Sequence, residues 1–233
     1  MGNGKERRIR ALIDAIVAYL GEQRNISEAA EATLQRINAA DLSARAFADL
    51  PASLSRHDPV LQRSIRNIEA ASLQPLRHAL AEAREDLVWR EDDMTYYPPG
   101  SDVGAGYKNC NLHSLLIGPG ACGFHHDDFL LGLFMLGPRT LYRDHQHEAP
   151  ETYITLSAQS GWRLAERRWQ DYPAGSIIFN PTYQVHATRV YQEPFLSVFS
   201  WLENIKGQCA VVPRDDWPAL ERRLAEPAEG QNA

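Results

Sequence analysis

Apolar positions along the 233-residue chain follow two rhythms, and the change falls near residue 90. Before it, they recur every three to four residues. Ile9, Leu12, Ile13, Ile16, Val17 and Leu20 trace one helical face, and Gly21 reads as its stop. The stretch "SEAAEATLQRINAA" predicts a second helix with Ser27 as N-cap. "DPVLQRSIRNIEAAS" predicts a third, with Asp58 as N-cap and Pro59 at the first helical position. "LQPLRHALAEAREDLVW" predicts a fourth, rich in strong helix formers. After residue 90 the runs are short and punctuated by Gly, Pro and Asn. Candidate strands are "NLHSLLIG", "FLLGLFML", "RTLYRDH", "ETYITLSA", "GWRLAER", "GSIIFNP", "QVHATRVY" and "FLSVFSWL", separated by turn signals such as "GPGACG", "LGPR" and "YPAG". No helix of any length is expected between them. That pattern predicts a mainly β protein: an antiparallel double-sheet barrel of the jelly-roll type behind an α-helical N-terminal region.

The expected organisation is therefore three segments. Residues 1–90 form helices that pack on the barrel or on a partner subunit, 91–213 form the barrel, and 214–233 form a C-terminal helix and tail. In the last segment "DDWPALERRLAEP" reads as a helix with Asp216 as N-cap, and "AEGQNA" as a disordered end.

Composition narrows the function classes. The net charge of -6 is spread along the chain without a basic stripe, which argues against nucleic acid as a partner. No apolar run approaches the ~20 residues of a membrane span. The N-terminal stretch is interrupted by Asp14 and reads as an amphipathic helix, not a signal peptide; Glu6 breaks the myristoylation pattern that Gly2 begins. Cys110, Cys122 and Cys209 fit neither a disulfide framework nor a zinc knuckle, so buried thiols in a reducing, cytoplasmic setting are expected.

The chemistry concentrates in "YRDHQHEAPETYITLSAQSGW". Side chains alternate faces along a strand, so His145 and His147 point the same way, and Glu151 and Tyr153 point together on the next strand. The "EAP" turn lets both pairs converge on the barrel interior. Buried imidazoles and a carboxylate must be satisfied there, and a metal ion satisfies them at once. His186, on a later strand, is the candidate fourth ligand. The donor set suits Fe(II), Mn(II), Zn(II), Ni(II) or Co(II) without choosing among them. Tyr153 would be a general base if the cation stabilises its phenolate; a space-filling role is the alternative. His113, His125 and His126 read as ordinary packing or loop residues, and His57 and His78 as solvated.

"HQHEAPE" followed by a distant histidine resembles the cupin superfamily, whose first motif is HxH, a short gap and Glu; Pro173, Gly175 and His186 match its second motif. Ala158 and Arg139 stand where that superfamily carries glycine. The Tyr two residues after the Glu narrows the resemblance to the cupin-type dimethylsulfoniopropionate (DMSP) lyases, over roughly residues 90–203.

That resemblance implies a cupin double-stranded β-helix and a divalent transition metal at His145, His147, Glu151 and His186. It implies a small zwitterionic substrate cleaved to dimethyl sulfide and acrylate, with Tyr153 removing the α-proton. Aromatic faces would hold the sulfonium; Phe129, Tyr142, Trp162, Tyr183 and Trp201 are the candidates. Tyr142 lies three residues before His145, so strict alternation puts it on the opposite face and only a bulge would bring it to the site. A homodimer is the assembly expected of the superfamily. Two other readings use the same ligands: another metal-dependent cupin enzyme, such as an Fe(II) dioxygenase or an isomerase, and a non-catalytic cupin that binds a small ligand. Tyr153 favours the lyase, since a dioxygenase needs no such base.

Overall fold

A computed structural model describes residues 4–226. Five helices precede the first strand: α1 (Gly4–Gln23), α2 (Glu28–Ala39), α3 (Asp58–Arg66), α4 (Gln74–Ala83) and the short α5 (Ala105–Asn109). Ten strands follow: β1 (Asn111–Ile117), β2 (Leu130–Leu136), β3 (Leu141–Gln146), β4 (Glu151–Ser157), β5 (Ser160–Leu164), β6 (Gln170–Tyr172), β7 (Ile177–Asn180), β8 (His186–Val190), β9 (Phe195–Trp201) and β10 (Ala210–Val211). Helix α6 (Trp217–Ala225) closes the described chain. No helix among the described residues is long and apolar enough to cross a membrane.

The strands form two five-stranded antiparallel sheets, ordered β1-β2-β9-β4-β7 and β10-β3-β8-β5-β6. This is the cupin jelly roll, and every strand expected from the sequence is present. The first sheet has both faces covered. Along β2, Leu131, Leu133 and Met135 pack with the helices, while Leu130 and Leu136 face the barrel interior. Continuous apolar runs such as "LLGLFML" follow from this double burial, which erases the usual alternation of a half-exposed strand. The helical layer is anchored by Ile9, Leu12, Ile13 and Ile16 of α1 and Leu76 and Leu80 of α4, all at most 1% exposed. Each such side chain contributes roughly 1.5–3 kcal/mol of burial. The N-terminal helices thus pack on the barrel itself.

Several boundaries differ from expectation. Helix α1 runs through Gly21 to Gln23, because Gly21 keeps an ordinary helical φ and nothing crowds its Cα. The third helix begins at Asp58 with His57 at the cap position. Asp58 spends its carboxylate on Gln62 and Arg84 instead of on backbone N–H groups. The fourth helix ends at Ala83 in a 3-10 turn, and the following residues extend so that Arg90 and His113 exchange backbone hydrogen bonds of 2.9 Å. That pairing ties the helical region to the edge of the first sheet. Ser27 caps α2 as expected, its hydroxyl accepting from the Ala30 N–H at 3.2 Å. Asp216 occupies the cap position of α6, yet its side chain pairs with Arg163. Strands β6 and β10 and helix α5 were not anticipated; all are short edge or connecting pieces without a periodic signal. The tail "AEGQNA" lies outside the described residues.

Ala158 and Arg139, which replace motif glycines, adopt the left-handed conformation, with φ of 53° and 57°. The barrel keeps the glycine-type turn and accepts the strain of a Cβ there. The three cysteines are buried and free.

Candidate metal centre

The two sheets contribute different halves of one site. His145 on β3 and His186 on β8 are directly paired across the second sheet, and His147 follows just after β3 ends. One ring nitrogen from each of the three lies within 4.8 Å of the others. Glu151 and Tyr153 come from β4 of the first sheet, facing the imidazoles across the interior. All five side chains are buried.

The imidazoles are oriented by their own backbone. His145 Nδ1 lies 2.7 Å from the Arg143 carbonyl, His147 Nδ1 2.8 Å from that of Ala149, and His186 Nδ1 2.8 Å from that of Gln184. A carbonyl only accepts, so each Nδ1 must carry the proton and donate. Each neutral ring then turns an Nε2 lone pair inward, the arrangement that metal-ligating histidines adopt. Burial, reinforced by His186 and His147, pushes the His145 imidazole well below its ordinary value, which keeps it neutral.

Glu151 is held as firmly. Its carboxylate accepts from Trp201 Nε1 at 2.9 Å and from Asn180 Nδ2 at 3.1 Å. Its Oε2 stands 3.3 Å from His147 Nε2 and 3.4 Å from His186 Nε2. With Nδ1 protonated, those contacts set lone pair against lone pair. His186 Nε2 is buried with no hydrogen-bond partner among the described residues. A divalent cation resolves both features, and three imidazole nitrogens with one carboxylate oxygen suit a borderline transition metal. The residues present therefore fit the metal that the sequence suggested.

Beside these groups lies a cavity of about 340 Å³. Tyr153 lines it, and burial together with the Glu151 charge pushes its phenol well above the ordinary value. Tyr142 also lines it. The register of β3 against β8 slips by one residue between Tyr142 and His145, a bulge that turns the Tyr142 ring onto His145 at 4.0 Å. Trp201 forms another part of the wall, its ring 4.7 Å from His147.

Three expected aromatics lie elsewhere. Phe129 faces the helical layer, beneath Arg36, because it precedes β2 on the helix-facing side. Trp162 is fully buried behind Tyr153, ring centroids 4.9 Å apart, with Nε1 donating to Ser160. It supports Tyr153 without reaching the cavity. Tyr183 is 56% exposed; a positive φ of 57° turns it outward while its N–H donates to the His147 carbonyl. His125 and His126 sit on an exposed loop, His78 is exposed, and His57 is half-buried near Glu91. His113 reaches the cavity wall.

The cavity also uses residues that no motif marked. Tyr97 and Tyr107 come from the segment ahead of β1, Phe134 and Phe199 from the first sheet, and Asp92 from the loop after the helical region. The Tyr97 and Tyr142 hydroxyls are 2.5 Å apart, and Tyr107 stacks on Tyr142 at 4.1 Å. Asn180, which orients Glu151, was likewise unforeseen. The signal available was the aromatic, acidic stretch "REDDMTYYPPG", which suits no core strand.

Comparison with known proteins agrees with this geometry. The DMSP lyase family model matches residues 19–197, most of the chain. DMSP lyase DddQ of Ruegeria pomeroyi is 28% identical over 172 residues, 73% of this chain and 77% of that protein. The crystal structure of the same DddQ superimposes with a TM-score of 0.62 at 22% identity, covering 87% of this chain and 96% of the other. A structure from a study of the DMSP lyases RdDddP and RnDddQII superimposes with a TM-score of 0.68 at 21% identity, over 90% of this chain and all of that one. With its cupin barrel and buried three-histidine centre, the chain belongs to the dimethylsulfoniopropionate lyase family and is a lyase.

Proposed function

We propose that this protein cleaves DMSP to dimethyl sulfide and acrylate by α-proton abstraction and β-elimination, with a divalent metal as cofactor. The observation that carries the reading is the set of three inward imidazole lone pairs facing Glu151, with the Tyr153 phenol beside that carboxylate on the cavity wall. A divalent ion held by His145, His147, His186 and Glu151 supplies positive charge to the site, which favours both bound carboxylate and a phenolate at Tyr153.

Tyr153 takes the substrate α-proton onto its oxygen. The electron pair of that C–H bond becomes the second bond between the α- and β-carbons. The pair of the β-carbon–sulfur bond leaves on sulfur, so a sulfonium departs as neutral dimethyl sulfide. Trp162 behind Tyr153 fixes the ring, and Trp201 and Asn180 fix Glu151. The aromatic wall of Tyr107, Tyr142, Phe134 and Phe199 keeps water away from the developing carbanion. No electron leaves the substrate, so the reaction needs no redox-active ion, which separates this reading from a dioxygenase using the same ligands.

The test is reconstitution of purified protein with Fe(II), Mn(II), Zn(II), Ni(II) or Co(II), followed by headspace measurement of dimethyl sulfide after DMSP is added. Release that a chelator abolishes is the expected result. Folded, metal-loaded protein that releases none with any ion overturns the assignment.

A further inference from the structure

The cavity wall carries two chemically different groups of residues: His145, His147 and Glu151, and, beside Arg90 and His113, the half-buried Asp92 and the exposed Asp93. A ladder of rings joins them: His145 stacks on Tyr142 at 4.0 Å, and Tyr142 on Tyr107 at 4.1 Å. The Tyr107 hydroxyl then donates to Asp92 Oδ2 at 2.6 Å. Asp92 thus stands two stacked rings away from the imidazoles, on the same cavity wall.

Asp92 is built in place. Its carboxylate accepts from the Met94 N–H at 2.8 Å, its own N–H donates to Asn111 Oδ1 at 2.6 Å, and Asn111 Nδ2 donates to the Tyr107 carbonyl at 2.8 Å. It is half-buried, and no Lys or Arg among the described residues pairs with it. Its neighbours differ: Glu91 is taken up by Arg56 at 2.9 Å, and Asp93 is exposed and turned back on Thr95. A carboxylate has about four lone-pair sites, and Tyr107 and Met94 occupy two of Asp92's. Arg90 and His113 line the same cavity, but neither forms a salt bridge with Asp92 among the described residues. A fixed, half-buried carboxylate without an ion-pair partner, at the edge of an aromatic wall, attracts a cation. A tyrosine ring whose hydroxyl donates to a carboxylate is also the more electron-rich face for one.

We infer that Asp92, with the Tyr107 ring it holds, is the specificity-determining group that selects substrates carrying a permanent positive charge opposite their carboxylate. The inference rests on the proposed function, since it names what reads the cationic end of that substrate. A sulfonium cannot donate a hydrogen bond, so charge and an aromatic face are the recognition available to it. Asp92 supplies the charge, and Tyr107, Phe134 and Phe199 supply the face.

The test uses a matched pair of ligands that contain no sulfur: the trimethylammonium analogue of DMSP, and its tert-butyl isostere, in which carbon replaces nitrogen. Both are titrated by calorimetry into protein loaded with Zn(II). The unaltered protein binds the cation at least about tenfold more tightly than the isostere. In Asp92→Asn the preference falls to about twofold or less while the neutral ligand binds as before, and Asp93→Asn keeps the preference. Asp92→Ser gives the same readout should the amide variant not fold. A preference that survives loss of the Asp92 charge, or is missing from the unaltered protein, overturns the inference. Neither ligand yields dimethyl sulfide, so the outcomes separate. Asp92-dependent preference with no dimethyl sulfide from DMSP sinks the lyase reading alone. Cleavage of DMSP without that preference sinks the role of Asp92 alone.

Discussion

The two sheets share a fold and a site but solve the burial problem in opposite ways. The first lies between the helical layer and the barrel interior, and its outer face is apolar: Leu131, Leu133, Met135, Ile154 and Leu156. The second carries a buried charge network on its outer face. Asp144, fully buried between Tyr142 and His145, accepts from Arg163 Nε at 2.9 Å and from Trp217 Nε1 at 2.8 Å, and Arg214 stands 3.6 Å away. The division extends to the chemistry. The second sheet supplies the imidazoles, whereas the first supplies the carboxylate, the phenol and the indole that orients the carboxylate. A site assembled from two sheets depends on their packing, so each sheet can be weakened separately to see which half fails.

The largest expected effect is on the second sheet's ligands. His186→Ala removes the residue paired across from His145, and elemental analysis should find the metal lost and turnover absent. Full metal occupancy in that variant would place the site elsewhere. On the first sheet, Tyr153→Phe should keep the metal and lower kcat by roughly a hundredfold or more, in line with loss of a general base. Unchanged kcat would remove Tyr153 from proton transfer.

Stability distinguishes the outer faces. Asp144→Ala leaves Arg163 and the Trp217 N–H short of their buried acceptor and should cost about 3–5 kcal/mol in urea unfolding. Leu133→Ala, on the helix-covered face, should cost about 2–5 kcal/mol through cavity formation. The two separate in metal affinity. Asp144 shares its strand segment with His145, so its loss should weaken metal binding as well, whereas Leu133→Ala should leave binding intact once folded. Equal metal affinities in the two variants would erase the distinction. The smallest change is Ala158→Gly, which relieves a φ of 53° and should stabilise by about 1 kcal/mol. A loss of stability there would mean the Ala158 methyl packs usefully.

Much of the barrel was readable because its strands are short runs bounded by turn residues, and that signal is local. His145, His147, Glu151 and Tyr153 were readable as a group because they fall within nine residues, where strand alternation and one turn bring them together. The less legible parts share one cause: they depend on partners distant in sequence. Tyr142 reaches the cavity only because β3 gains a residue against β8. Phe129 resembles a pocket aromatic in composition but takes the face covered by the helices, and Trp162 takes the interior face but stands behind Tyr153. The cap at Asp58 shifted because a distant partner, Arg84, takes up its carboxylate, whereas Gly21 continues its helix because nothing there forces a stop.

The sequence by itself determined the jelly-roll class and the helical N-terminal layer, and it brought His145, His147, Glu151 and Tyr153 together as a candidate site, because periodicity and close spacing are properties of a chain before it folds. Only the tertiary structure decided which aromatic rings line the cavity, that Trp201 and Asn180 hold Glu151, and that Asp92 accepts from Tyr107 at the end of a ring ladder. Those contacts join residues on different strands and loops across the barrel, and their formation depends on sheet register and on how the helical layer closes over the first sheet.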